Sequence, residues 1–170
     1  MKTLTKVLQI AALLAPVTGL AMAVAATVNP EFRSTYGSFI VSVDAMQVGA
    51  MSWPLRAIVF VLPALAFAYA MFQLAALLSL AARDQVFSPP AAVHLRRFGL
   101  WLLITTLAGN LLPGIAQALH LLLTRSEHGQ LGFSLSSADL WNIFISAVFM
   151  LVARVLADAY RIAEENRQII

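Results

Sequence analysis

The chain has 170 residues, of which 61% are hydrophobic and only 11% are charged. Soluble domains contain roughly 25% charged residues, so this composition excludes an ordinary soluble globule and favours a single membrane domain. The absence of cysteine excludes disulfides, thiolate metal sites and cysteine nucleophiles. A net charge of +3 in such a chain is typical of basic loops beside anionic lipid. We expect no direct contact with nucleic acid, since no basic recognition helix is present.

Four stretches are apolar and long enough to cross a bilayer, which needs about 20 mostly apolar residues. They span residues 7–28, 57–82, 98–123 and 140–160. The expected fold is therefore an all-α integral membrane protein, a four-transmembrane-helix bundle that forms one domain over residues 1–170. The connecting segments are an outer loop at 29–56, a cytoplasmic loop at 83–97, a second outer loop at 124–139 and a cytoplasmic tail at 161–170.

The first span resembles a signal peptide in its basic start and its small residues. The sequences AMA and AVA, at residues 21–23 and 23–25, are similar to signal-peptidase sites. However, the apolar run over 7–28 exceeds the core of about 7–15 residues found in cleaved signals. We expect the segment to be retained as a transmembrane helix.

The distribution of basic residues predicts the orientation. With the N-terminus inside, the cytoplasmic flanks contain Lys2, Lys6, Arg83, Arg96, Arg97, Arg161 and Arg167. The outer flanks contain only Arg33, Arg56 and Arg125. Cytoplasmic loops carry an excess of Lys and Arg, so both termini are expected in the cytoplasm and the protein in the bacterial inner membrane.

Both outer loops contain a short alternating pattern. Residues 39–43 and 131–135 carry a large apolar side chain at every second position, which is typical of a half-buried strand. Because an unpaired strand leaves backbone groups unsatisfied, we expect the two segments to pair as a small extracytoplasmic β element. Ser137 or Asp139 is expected to cap the fourth helix.

The cytoplasmic loop contains a helix start followed by a basic cluster. Ser88 is expected to cap a helix whose first position is Pro89, where the missing N–H has no cost. This helix runs into the third span and places His94, Arg96 and Arg97 at headgroup level. Anchoring on lipid phosphate and docking of a cytosolic partner both fit such a surface.

The third and fourth spans contain polar residues that are costly within a bilayer and therefore face the bundle interior or a water-filled cavity. Asn110 and Gln117 are two turns apart on roughly one face, which predicts interhelical hydrogen bonds. Arg154 and Asp158 are one turn apart and are expected to pair. A structural ion pair is the simpler interpretation of these two charges, and a ligand or ion site is the alternative.

The sequence carries no recognisable catalytic signature. It has no zinc-binding His-Glu-x-x-His, no phosphate-binding loop, no nucleophile elbow and no acidic metal cluster. We therefore expect a protein that is not an enzyme and that has no cofactor, no metal site and no catalytic residue.

Two segments resemble a known bacterial family, DUF2975, a domain of unknown function. They are VFSPPAAVHLRRFGLWLL before and within the third span, and LWNIFISAVFMLVARVLADAYRIAEENRQII at the end of the chain. The matching residues are Phe87, Ser88, Leu95, Arg96, Gly99, Glu164, Glu165 and Asn166. The resemblance implies four spans and no established activity. It also implies, as for similar proteins, partnership with small helix-turn-helix regulators held at the membrane.

Two interpretations of function follow. The first is a non-enzymatic interaction or regulatory protein that binds a cytosolic partner through Arg96, Arg97, Glu164 and Glu165, with the acidic tail pairing with Arg97 when no partner is bound. The second is a small transporter or channel component, an oligomer of identical chains, that uses Asn110, Gln117, Arg154 and Asp158.

Overall fold

The computed structural model describes residues 2–36, 51–83, 85, 88–124 and 136–167, without the side chains of 2–4, 34–36 and 166–167. Its helices, numbered here in chain order, are α1 (Lys2–Val28), α2 (Pro30–Tyr36), α3 (Trp53–Ala81), α4 (Pro89–Thr124) and α5 (Ser137–Arg167). No strand occurs in these ranges. The predicted strands at 39–43 and 131–135 lie outside the described residues.

Helices α1, α3, α4 and α5 are each long and apolar enough to cross a membrane. Each coincides with one of the four apolar runs of the sequence. This confirms the prediction of four long apolar helices, and over the described residues the secondary structure is helical throughout. Long helices are the expected structure for such apolar runs, because a helix is one of the few structures that satisfy every backbone hydrogen bond without water.

Helix α2 lies in the segment 29–56 between the first two apolar runs, where the sequence predicts no helix. It begins with a proline after an asparagine, and the side chain of that residue, Asn29, caps it. Asn29 Oδ1 accepts hydrogen bonds from the backbone N–H groups of Glu31 at 2.9 Å and Phe32 at 3.2 Å. The sequence signal was the same as at Ser88-Pro89: a capping residue followed by proline at the first helical position.

The membrane helices form a row in chain order. The extensive contacts join α1 to α3, α3 to α4 and α4 to α5. The two central helices bury 39% and 33% of their most apolar windows, whereas α1 and α5 at the ends of the row bury 11% each. Much of the apolar surface of α1 and α5 is therefore left for lipid.

The apolar core lies at the end of the bundle where α1 ends and α3 begins. It consists of Ala23, Ala26, Met51, Leu55, Val59, Phe60, Ala64 and Ala116, with Leu20 and Phe32 packed against it. Half of these residues are alanines, which let helix backbones approach closely in the absence of a strong hydrophobic drive between helices. Phe32 brings α2 onto this core, so α2 folds back over the ends of the membrane helices.

Helices α4 and α5 pack most closely at Gly99. A Cβ atom at this position would lie 3.0 Å from the backbone oxygen of Ser146 and 3.1 Å from Cγ of Met150. Ser146 is fully buried there, and the rings of Phe98 and Phe149 meet edge to face at 5.0 Å. Only a residue without a side chain permits this distance, so Gly99 fixes how α4 and α5 are spaced.

The capping of α4 and α5 differs from that predicted. Helix α4 begins at Pro89 as predicted, but the hydroxyl of Ser88 donates to the backbone oxygen of Gln85 at 2.7 Å and does not cap the helix. The N-cap residue of helix α5 is Ser136, one position before Ser137, and Asp139 takes part in the cap from within the first turn. Ser136 Oγ accepts from the N–H of Asp139 at 3.2 Å, and Asp139 Oδ2 accepts from the N–H of Ser136 at 2.8 Å. This reciprocal arrangement is a capping box.

Candidate functional site

A groove of about 550 Å³ opens between the first turns of α4 and the stretch of α5 from Met150 to Tyr160. Its lining residues are Pro89, Ala92, Val93, Arg96, Met150, Ala153, Arg154, Ala157 and Tyr160. On each helix they recur at intervals of three or four residues, so each helix contributes a single face. The groove adjoins the close contact at Gly99, since Met150 lines the groove and also lies against Gly99.

The groove combines apolar walls with two cations. Ala92, Val93 and Met150 supply aliphatic surface, while Arg96 comes from α4 and Arg154 from α5. Both arginines are exposed. Within the described ranges neither takes part in an ion pair, so their guanidinium groups are available to an anionic ligand or partner.

The predicted ion pair between Arg154 and Asp158 does not form. Both side chains are exposed, and the ion pair observed on α5 joins Arg161 Nε to Glu165 Oε1 at 3.7 Å. An exposed pair is stabilised by only about 0–1 kcal/mol and must order two flexible side chains, so spacing alone does not ensure pairing. Asp158 is not among the residues that line the groove.

The predicted contact between Arg97 and the acidic tail is also not formed. Arg97, Glu164 and Glu165 are all exposed, and Glu165 pairs with Arg161 on its own helix. Of the two adjacent arginines, only Arg96 lines the groove.

A hydrogen bond that was not predicted connects α3 to α4 beside the groove. Gln73 is 3% exposed, and its Oε1 lies 2.7 Å from Nδ1 of His94. Because an amide oxygen only accepts, the imidazole nitrogen donates. In the sequence, Gln73 and His94 are isolated polar residues near facing ends of consecutive apolar runs, and this placement is the feature from which the contact could be predicted.

Asn110 and Gln117 are both buried, as expected for residues on one interior face of α4. The predicted interhelical bond of Asn110 is not observed. Its Nδ2 donates to the backbone oxygen of Thr106 at 2.8 Å, one turn back on the same helix, while its Oδ1 is buried without a partner among the described residues. The structure therefore does not bring these amides together with Arg154 or Asp158.

The chemistry available in the groove is recognition of negative charge. Two guanidinium groups can bind a carboxylate or phosphate through paired N–H donors, and the aliphatic walls can cover an attached apolar group. Over the described ranges there is no cluster of three His, Asp or Glu side chains that could hold a metal ion.

The comparisons with known proteins give one family. The model of a family described as a protein of unknown function, DUF2975, matches residues 10–170. Neither the curated proteins nor the solved structures contain a significant match. The match covers nearly the whole chain, including both helices that form the groove, and the protein therefore belongs to the DUF2975 family.

Proposed function

We propose that the protein is a non-enzymatic, multi-pass protein of the bacterial inner membrane that binds a cytosolic protein at its cytoplasmic face. The observation that carries this proposal is the groove between α4 and α5, where Arg96 and Arg154 lie exposed between apolar walls. The partner contributes an acidic side chain and adjoining apolar residues. A small helix-turn-helix regulator is the candidate partner.

The proposed orientation places the groove at the cytoplasmic end of the membrane helices. The start of α4 and the end of α5 lie at the same end of the membrane helices as the start of α1, and the segments at this end are richer in Lys and Arg than those at the other end. Helix α5 has 31 residues and is therefore about 46 Å long, against a hydrocarbon thickness of about 30 Å. Its last turns extend beyond the hydrocarbon, so Glu164 and Glu165 are available to the same partner.

The groove suits a reversible interaction. A bidentate contact between arginine and carboxylate provides orientation, but an exposed ion pair contributes only about 0–1 kcal/mol. Most of the binding free energy therefore comes from apolar contact with Val93 and Met150, at about 25 cal/mol per Å² of buried apolar surface. Such a complex forms and dissociates without disturbing the membrane helices.

The test is site-specific photo-crosslinking in intact cells. A photoreactive residue at Val93, inside the groove, should capture one cytosolic protein, identified by mass spectrometry. The same residue at Leu122, 77% exposed near the opposite end of α4, is the matched control and should capture lipid only. Purification in mild detergent should recover the captured protein in stoichiometric amount.

Substitutions test whether the groove is the binding surface. Replacing Arg96 and Arg97 together with alanine should weaken capture, and Arg96→Ala should cost more than Arg97→Ala because only Arg96 lines the groove. Asn110→Leu should leave capture intact. Equal capture by the double-alanine variant contradicts the proposal. A solute flux in liposomes that is lost on changing Asp158, without any partner, favours the transporter interpretation instead.

We also propose that the outer loops pair through residues 39–43 and 131–135. Matched alternation of apolar residues supports this pairing. Since the chain has no native cysteine, cysteines introduced at Val41 and Phe133 form a clean reporter. Oxidative cross-linking within single chains is expected, with Val41 and Leu122 as a mismatched control pair. Failure to cross-link in the intact membrane contradicts the β element.

A further inference from the structure

A second pair of arginines lies at the opposite end of the membrane helices from the groove. Arg33 belongs to the short helix α2, and Arg56 belongs to the first turns of α3. The residues that precede them, Phe32 and Leu55, pack in the same apolar cluster. The fold therefore brings together two cations that are separated in sequence by the loop between α2 and α3.

Each of these arginines has one buried side-chain nitrogen without a hydrogen-bond partner, although Arg56 as a whole is only half-buried. Arg33 is 6% exposed, and its Nη1 is buried without an acceptor. Nε of Arg56 is buried and likewise has no acceptor in the described chain. Buried polar groups are almost always hydrogen-bonded, and a guanidinium group offers five donors and no acceptor, so the two residues cannot satisfy each other.

The two arginines also repel each other, because both carry a positive charge. Burial, followed by the positive charge of Arg56, lowers the pKa of Arg33. Two like charges that are close enough to influence each other in an enclosed site strongly favour an anion between them. No carboxylate on the described residues forms an ion pair with either arginine.

We propose that Arg33 and Arg56 form a binding site for a small oxyanion, a carboxylate or phosphate group of a soluble molecule. The planar guanidinium group matches the geometry of both groups through paired N–H donors. Nη1 of Arg33 and Nε of Arg56 donate to the oxyanion, and its negative charge relieves the repulsion between the two cations. The site is independent of the proposed partner groove, from which the length of α3 separates it.

The direct test measures anion binding to the full chain purified in a neutral detergent. Inorganic phosphate and succinate are titrated against potassium chloride at matched ionic strength, and the unfolding temperature is recorded. Fluorescence of Trp53 in the first turn of α3 gives a local readout once Trp101 and Trp141 are replaced by phenylalanine. At least one of the two oxyanions should raise the unfolding temperature saturably and change the Trp53 emission.

Substitutions of the two arginines test whether the oxyanion binds at this site. Arg33→Gln and Arg56→Gln should each weaken binding by about tenfold or more, the effect expected for loss of a charged hydrogen-bond donor. Arg97→Gln, which removes one exposed cation at the other end of the molecule, should leave binding unchanged. If Arg33→Gln does not fold, Arg33→Lys keeps the charge but not the planar fork, and should fold yet bind more weakly.

Three results overturn the proposal. The first is the absence of any saturable effect of phosphate or succinate that depends on Arg33 and Arg56. The second is binding that appears only after Asp44→Asn, a change in the sequence between α2 and α3. This result would mean that the carboxylate of Asp44 occupies the site in the wild-type protein. The third is binding that occurs in phosphatidylcholine nanodiscs but is abolished by phosphatidylglycerol, because the site then belongs to a lipid headgroup.

Discussion

Nδ1 of His94 lies 2.7 Å from Oε1 of Gln73, and this bond joins α4 to α3 beside the groove. Gln73 is buried to 3% exposure in a helix that is otherwise almost entirely apolar, so its amide depends on this partner. The bond fixes the start of α4, and with it the position of Arg96 two residues further along.

Replacing Gln73 with leucine should lower the free energy of unfolding by about 1 kcal/mol, since interhelical hydrogen bonds in membranes contribute about that much or less. The loss arises because His94 keeps its donor and loses its acceptor. Unfolding by SDS titration from mixed micelles measures the effect. Phe72→Leu, on the exposed side of the same helix, is the control and should change stability by less than about 0.5 kcal/mol. Equal stability of Gln73→Leu and wild type contradicts the role assigned to this bond.

Gly99→Ala should destabilise the protein by about 1–3 kcal/mol, because overpacking at a close contact forces the backbones apart. The added Cβ would lie 3.0 Å from the backbone oxygen of Ser146, which cannot move away as a flexible side chain could. Gly19→Ala is the matched control. A Cβ at Gly19 would lie 3.8 Å from Cδ1 of Phe67, an ordinary contact, so this variant should be neutral or stabilised by up to about 1 kcal/mol.

Thermal unfolding in detergent distinguishes the two glycine variants. The ring contact between Phe98 and Phe149 gives a second readout, since separation of α4 from α5 should expose both rings to quenching or modification. If the alanine at position 99 is tolerated as well as the alanine at position 19, the contact with Ser146 is looser than the structure indicates.

Ser136→Ala should cost about 0.5–2 kcal/mol, the usual effect of removing a helix N-cap. The hydroxyl of Ser136 accepts from the N–H of Asp139 and donates to its carboxylate at 2.7 Å. Ser137→Ala, at the next position, removes a hydroxyl with no such role and should cost little. Hydrogen exchange of the first turn of α5 should accelerate in the first variant only. A larger effect at Ser137 than at Ser136 would mean that the cap is misassigned.

Both termini should lie in the cytoplasm, and the first helix should be retained. Reporter fusions at residue 170 should be active for a cytoplasmic reporter and inactive for a periplasmic one, because the basic flanks stay inside. A fusion after residue 124 should behave in the opposite way. Mass spectrometry of the purified protein should find residues 2–25 still attached. Activity of the periplasmic reporter at residue 170 would reverse the orientation, and a mature N-terminus near Ala26 would remove the first span.

The sequence alone determined the number of membrane helices and their approximate positions. Transfer of a segment into a bilayer depends on the summed hydrophobicity of its own residues, and a single helix satisfies its own backbone. Local chemistry likewise placed the start of α4 at Pro89. The same kind of signal, a capping residue followed by proline, occurs at Asn29-Pro30 and marks the start of α2.

Which polar side chains contact each other depends on the packing of the helices, which only the tertiary structure decides. Arg33 lies near Arg56, Gln73 bonds to His94, and Arg96 shares a groove with Arg154. Two of the pairs expected from helical spacing or charge, Arg154 with Asp158 and Arg97 with the acidic tail, did not form. Helical spacing shows that two residues on one helix can approach each other. Contacts between helices depend instead on how the surfaces fit, and this fit is set by close approaches such as Gly99 against Ser146, which carry no signal in the sequence beyond a single glycine.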